Sequence, residues 1–284
     1  MTICSRTDLA SEAHSFFSSR QESFPTGVGY AVRRETLEGL AVTAVDIEAP
    51  QAAHALQLPL GHYVTLHLPA PVSRRAPDYL DQVHALSLLI RRFLPRERSD
   101  GALIAALGNP DVTPDALGPL AAESVLVTRH LRDNPLFRSF LPTALCRTGV
   151  LGTTGMESAF QIQTLCRAVH PSCVLVVDAL AGADTESLCR CVQVTDAGIA
   201  PGSGVGNDRA ALCLETLGVP VVAVGVPTVV DAASLSGRSE LGEMFVTPRY
   251  IDSEVRHLSR LIGYAINAAL HPSLSLEEME QLLE

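Results

Sequence analysis

Short apolar runs recur through the second half of the chain, at residues 102–107, 174–177, 191–194 and 219–224, each closed within a residue or two by Gly or Asp. Runs of this length suit strands buried on both faces. Between them lie stretches of helical length, residues 117–131, 157–169, 209–217 and 253–270. Alternation of this kind predicts an α/β fold: a mostly parallel sheet flanked by helices. Two further strands are expected nearer the N-terminus, at residues 40–47 and 63–68. Leu80, Val83, Leu86, Ile90 and Phe93 recur at helical spacing between Pro77 and Pro95, which predicts an amphipathic helix. Residues 232–242, rich in Ser and Gly, read as a surface loop. With no internal repeat or low-complexity tract, residues 9–284 read as a single domain.

Composition narrows the class. The 284 residues are 47% hydrophobic and 18% charged, enough to bury a core without disulfides or a structural metal. No apolar run approaches the roughly 20 residues of a membrane-spanning helix, and no secretory signal is read at the N-terminus, so a cytoplasmic protein without membrane contact is expected. The seven cysteines are odd in number and form no C-x2-C pair. They read as reduced core residues. A formal charge of −10 repels nucleic acid, and the Arg74-Arg75 and Arg91-Arg92 pairs are too isolated to offset it. The nine histidines form no H-E-x-x-H or comparable cluster, so no metal or other cofactor is expected.

Candidate chemistry collects where strands end, since ligands of open α/β sheets bind beyond the carboxyl ends of strands. Asp115 stands in the turn-rich segment Gly108-Asn109-Pro110-Asp111-Val112-Thr113-Pro114-Asp115. It reads either as a catalytic acid or as a helix-start residue, with Thr113 as N-cap and Pro114 as the first helical position. Asp178 closes the apolar run Val174-Leu175-Val176-Val177. It is either a catalytic acid or a cap for the next turn. Like charges brought together raise one pKa, so the two acids, if they meet, can share a proton and act as base and acid. The glycine-dense loop Gly202-Ser203-Gly204-Val205-Gly206-Asn207 permits close approach of a ligand, but it lacks a dinucleotide fingerprint, a P-loop lysine and a nucleophile elbow. Glu157, after Gly149-Val150-Leu151-Gly152-Thr153-Thr154-Gly155-Met156, is a third acid at a helix start.

Taken together these segments, with Val127-Thr128-Arg129-His130-Leu131 and the run from Leu217 to Ala232, resemble the germination protease family of spore-forming bacteria, endopeptidases that degrade small acid-soluble spore proteins. The resemblance implies an aspartate-dependent mechanism with the active-site pair at Asp115 and Asp178, a homotetramer, and a place in the spore core. It also implies a zymogen. Thr7-Asp8-Leu9-Ala10-Ser11-Glu12 is similar to the Thr-Glu-(Phe/Ile)-Ala-Ser-Glu motif cut in spore proteins, which sets residues 1–8 as a short propeptide removed at the Asp8–Leu9 bond. The other reading of this segment is a helix N-cap at Thr7 or Ser11. The substrate's acid suggests a basic subsite, with Arg129 and Arg209 as candidates beside the Gly202, Ser203, Gly204, Gly206 and Asn207 loop.

The stretch between Asp231 and Met244 is shorter than in the family, and the leader before Arg6 is five residues. The family's architecture is similar to that of hydrogenase maturation proteases, with their phosphorylase/hydrolase-like fold. That sets the alternatives: a metal-dependent peptidase on the same two acids, with a third ligand from Glu157, Asp196 or His130, or a non-catalytic relative.

Overall fold

The computed structural model describes residues 7–19, 29–202, 209–236, 238–242 and 244–283. β-branched and small apolar residues build nine strands among them: β1 (Tyr30–Leu37), β2 (Leu40–Ile47), β3 (Gly61–His67), β4 (Ala102–Leu107), β5 (Thr143–Gly149), β6 (Cys173–Gly182), β7 (Cys191–Thr195), β8 (Val221–Asp231) and β9 (Phe245–Val246). The helices are α1 (Ala10–Ser19), α2 (Pro50–Leu56), α3 (Tyr79–Phe93), α4 (Leu117–Ala121), α5 (Leu151–Thr154), α6 (Ser158–Val169), α7 (Leu214–Leu217), α8 (Ala232–Ser236), α9 (Ile251–Leu270) and α10 (Leu276–Leu283).

The α/β class is as expected, and the sheet is mixed. Its strand order is β1-β2-β3-β7-β8-β6-β4-β5, with β9 beside β8. Strands β8, β6, β4 and β5 run parallel, and β1, β2, β3 and β7 extend them antiparallel. Side chains alternate between the faces. On β6, Leu175 and Val177 join the core under α3 and α9. Val174 and Val176 face the other way, against Ile162 and Cys166 of α6. Helices α1 and α2 cover the antiparallel end, where Ala10, Ala13 and Ala52 pack on Val45, Ile47 and Tyr63.

Three expected elements differ. The helix read over residues 117–131 stops at Ala121 and continues as two separate 3-10 turns. Asn267 of α9 intervenes: its Oδ1 accepts from the Leu126 N–H at 2.9 Å and its Nδ2 donates to the Ser124 carbonyl at 2.8 Å, satisfying main-chain groups a helix would have paired. The helix read over 209–217 shortens to Leu214–Leu217, because Leu212 and Ile199 exchange N–H···O bonds and hold the preceding residues extended. Residues 232–242 hold α8 and a 3-10 turn, Ser239–Leu241, in place of an unstructured loop. Asp231 starts α8 by accepting from the Ala233 and Ser234 N–H groups.

Helix α4 seats directly on β4 at its carboxyl end, Leu107, and on β6 midway along, at Val177. At Gly118 a Cβ would meet the Leu107 carbonyl oxygen at 2.2 Å and the Val177 carbonyl oxygen at 2.6 Å. Neither backbone atom can give way without moving a core strand. Replacing Gly118 by Ala should therefore destabilise the fold by about 1–3 kcal/mol, read as a lowered urea midpoint; an unchanged midpoint would show that α4 does not fix β4 and β6.

Candidate active site

Asp178 lies within β6, which runs on to Gly182 instead of ending beside it. No helix follows for it to cap. It sits one residue past the last β4–β6 pairing, Ala106 with Val177, so its backbone emerges where β4 has stopped. The side chain is 4% exposed. Its carboxylate accepts a hydrogen bond from the neighbouring Ala179 N–H at 2.9 Å.

Asp115 is brought to the same end of the sheet by a loop that reverses at Gly108. There φ is +108° and a Cβ would meet the Asp115 carbonyl oxygen at 2.0 Å, so the close return of the chain requires glycine. The Asn109 N–H donates to Asp115 Oδ2 at 2.8 Å, and the Asp111 N–H to Asn109 Oδ1 at 3.0 Å. Two outside contacts pin the loop. Thr113 Oγ1 donates to Asp252 of α9 at 2.8 Å, and Thr228 Oγ1 of β8 donates to the Pro114 carbonyl at 2.7 Å. Thr113 therefore does not cap a helix, and α4 begins only at Leu117.

Asp115, Asp178 and Arg209 line one cavity of about 340 Å³, together with Gly202 and Asp8. Burial pushes the Asp178 carboxyl well above the usual carboxylate range, the Asp115 charge adds to that, and Asp8 contributes further; the Ala179 N–H and Arg209 act against it. Burial also raises Asp115, opposed by the Asn109 N–H and by Arg209. Both acids are thus shifted toward their neutral forms by a dry site, Asp178 the more strongly because its neighbour's charge adds to its burial.

The other expected site residues divide. Ser203, Gly204, Gly206 and Asn207 lie outside the described residues. Arg129 sits away from the cavity, just after Thr128, whose N–H bonds Thr143 at the amino end of β5; its guanidinium donates to the Val169 carbonyl at 3.0 Å. Among the described residues no set of three His, Cys, Asp or Glu side chains is arranged to hold a metal ion. Asp196 is engaged with His62 at 2.9 Å, and His130 lies beside Arg129, away from the cavity. Among the described residues, neither Asp196 nor His130 supplies a third ligand beside Asp115 and Asp178.

The profile of the germination protease family matches residues 8–240. The chain belongs to that family. The germination protease of Clostridium perfringens strain SM101 is 34% identical, with 98% of each chain covered, and that of Bacillus cereus strain 03BB102 is 39% identical over 81% of this chain and 64% of its own. A solved [NiFe] hydrogenase maturation protease, HycI of Thermococcus kodakarensis, superposes with a TM-score of 0.37 at 18% identity over 63% of this chain and 99% of its own. Membership of the germination protease family makes the chain a peptidase acting on protein. No described helix is long and apolar enough to cross a membrane.

The segment that resembles the family's cleavage motif lies against the cavity. Leu9 and Ala10 are fully buried, and Asp8 exchanges contacts with Ala181: its N–H donates to the Ala181 carbonyl at 3.0 Å and its Oδ2 accepts from the Ala181 N–H at 2.9 Å. Helix α1 starts at Ala10, and the Thr7 hydroxyl accepts from the Leu9 N–H in a local turn without capping the helix. Sequence reasoning passed over Gln193 and Ala181, which hold this segment.

A carboxyl whose folded pKa is raised contributes stability below its unfolded pKa and loses it as pH rises through the folded value. Asp178 is in that position. Asp178→Asn should therefore melt a few degrees above the wild type at pH 7, with the gap closing as pH falls below the ordinary carboxylate range. Parallel melting curves for the two proteins across that range, with no gap at pH 7, would contradict the assigned burial cost.

Proposed function

We propose that the chain is an endopeptidase that initiates degradation of small acid-soluble spore proteins during germination, with Asp115 and Asp178 activating water. The observation that carries this reading is that both carboxyls line one cavity, where burial raises both and raises Asp178 the further. Asp178, buried and raised by its neighbour's charge, holds a proton. Asp115, which accepts from the Asn109 N–H and faces the Arg209 charge, is the ionised partner. Asp115 takes a proton from water as the water oxygen bonds to the peptide carbonyl carbon, and Asp178 hydrogen-bonds the carbonyl oxygen. As the C–N bond breaks, Asp178 gives its proton to the leaving nitrogen, releasing a carboxylic acid and an amine, and the proton on Asp115 passes to Asp178 to restore the pair.

On the family resemblance we also assign processing to the Asp8–Leu9 bond, a homotetrameric assembly and a place in the spore core. The buried position of Leu9 beside the cavity supports the first of these. Arg209 remains the basic residue of the site, with a charge that lowers both acids.

Asp115→Asn and Asp178→Asn should each lower turnover of a Thr-Glu-Ile-Ala-Ser-Glu peptide by roughly 10²–10⁴-fold with a cooperative melt retained. Near-normal turnover by either variant removes the pair from the chemistry. Exhaustive chelation should leave wild-type activity unchanged; loss restored by one specific ion would move the chemistry to a metal.

The pH profile follows from the same assignment. Activity falls on the acid side as Asp115 gains a proton and on the alkaline side as Asp178 loses one. Arg209→Gln removes a charge that lowers both carboxyls, so both limbs should move to higher pH. Limbs that stay in place would exclude Arg209 from the electrostatics of the pair.

A further inference from the structure

One row of residues crosses the sheet at the site. Thr65 of β3 is paired with Gln193 of β7, Gln193 with Gly225 of β8, and Gly225 with Asp178 of β6. Paired residues share a face, so Gln193 and Asp178 project to the same side, with a residue lacking a side chain between them. A second cavity, of about 430 Å³, opens on this row beside Gln193. Asp8, Leu180, Ile199 and Ala200 line both cavities, so the chain crosses from one to the other at Asp8.

Gln193 is 5% exposed, and both ends of its amide are spent on this crossing. Its Nε2 donates to the Asp8 carbonyl at 2.9 Å, and its Oε1 accepts from the Ala10 N–H at 2.9 Å. These are the carbonyl of the Asp8–Leu9 peptide and the N–H of the next. Around them the side chains are read in turn. The Asp8 carboxylate accepts from the Ala181 N–H at 2.9 Å. Leu9, fully buried, packs on Leu180, Cys191 and Ile199. Glu12 accepts from the Ala183 N–H at 2.7 Å and from the Thr7 hydroxyl at 2.5 Å, which closes the segment on itself.

We infer that residues 7–12 lie in the peptide-binding groove in the register of a substrate, and that Gln193 positions the main chain across the bond to be cut. The inference rests on the peptidase reading above. The acid before the bond is recognised by a main-chain N–H on β6. An external peptide is seated only once residues 7–12 leave, by cleavage or by release.

The test uses the full chain and a synthetic peptide of its residues 2–19, with cleavage read by mass spectrometry. A second peptide carries L-lactate in place of Ala10, so that an ester oxygen replaces the N–H that Gln193 accepts. The wild type should cut the amide peptide and lose about 10- to 100-fold in kcat/KM on the ester. Gln193→Leu should lose a similar factor on the amide peptide, and replacing amide by ester should then cost it less than about threefold further. Full additivity of the two changes overturns the inference, because a merely structural glutamine would not couple to one substrate N–H. Should Gln193→Leu fail to fold, the wild type alone decides: equal rates on amide and ester overturn the inference and leave the peptidase reading standing. A wild type that leaves both its own Asp8–Leu9 bond and the amide peptide intact overturns that reading and this one with it.

Discussion

An ionisable group inside a fully buried strand is the costly feature of this fold. Asp178 follows Val174, Leu175, Val176 and Val177, all at or below 1% exposure, and is itself 4% exposed. Water cannot solvate it freely, and the direct hydrogen bond to its carboxylate comes from the residue beside it. Burial therefore raises its pKa well above the usual carboxylate range. Much else at this end of the sheet depends on that. The short β4 leaves the strand edge open from Asp178 onward, and the Gly108 reversal brings a second acid to the opening. Burial raises that second acid as well, and the Asn109 N–H and Arg209 oppose the rise.

Holding two carboxyls in unlike states needs a rigid mount, since their difference depends on which of them water and N–H groups reach. The 109–115 loop is therefore tied near its carboxyl end to regular structure on two sides. Thr113 anchors it to α9 and Thr228 anchors it to β8, while Gly118 lets α4 rest on β4 and β6. The Thr228 contact grows out of a sheet irregularity. Leu180 pairs with Pro227 but Ala181 pairs with Val229, so Thr228 is skipped in the ladder and its hydroxyl is given to the loop.

The chain's patterning discloses the strands that are buried on both faces and hides those that are not. Ala102–Leu107 is a continuous apolar run and matches its element from end to end. Tyr30–Leu37 carries Arg33, Arg34 and Glu35 on an exposed edge and shows no such run, although the two positive-φ residues Glu38 and Gly39 make the tight turn that joins it to β2. Helix ends fail for a related reason: residues 122–131 have helical periodicity, but Asn267 competes for their main chain from 141 residues away. Of the two acids, Asp178 stands out as a charge ending an apolar run. Asp115 does not, since Thr113-Pro114-Asp115 reads equally well as a helix start; only the tertiary anchors of Thr113 and Pro114 distinguish the two.

Gln193 shows where local reading stops. A glutamine inside the run Cys191-Val192-Gln193-Val194 is a visible anomaly, because a buried amide must find partners for both its ends. Nothing nearby in sequence supplies them, and the partners lie 185 and 183 residues earlier. The strand order supplies the link. Because β7 and β6 are both neighbours of β8, a glutamine on the antiparallel half and an aspartate on the parallel half fall on one cross-strand row, with Gly225 between them covered by the Leu180 side chain. A wholly parallel sheet built by helical crossovers would set helices between such strands in sequence and bring carboxyl ends together, but it would not place a short antiparallel strand directly beside the parallel centre. The mixed sheet thereby puts an amide bonded to the main chain of residues 8–10 and a buried carboxyl on a single face, one strand apart.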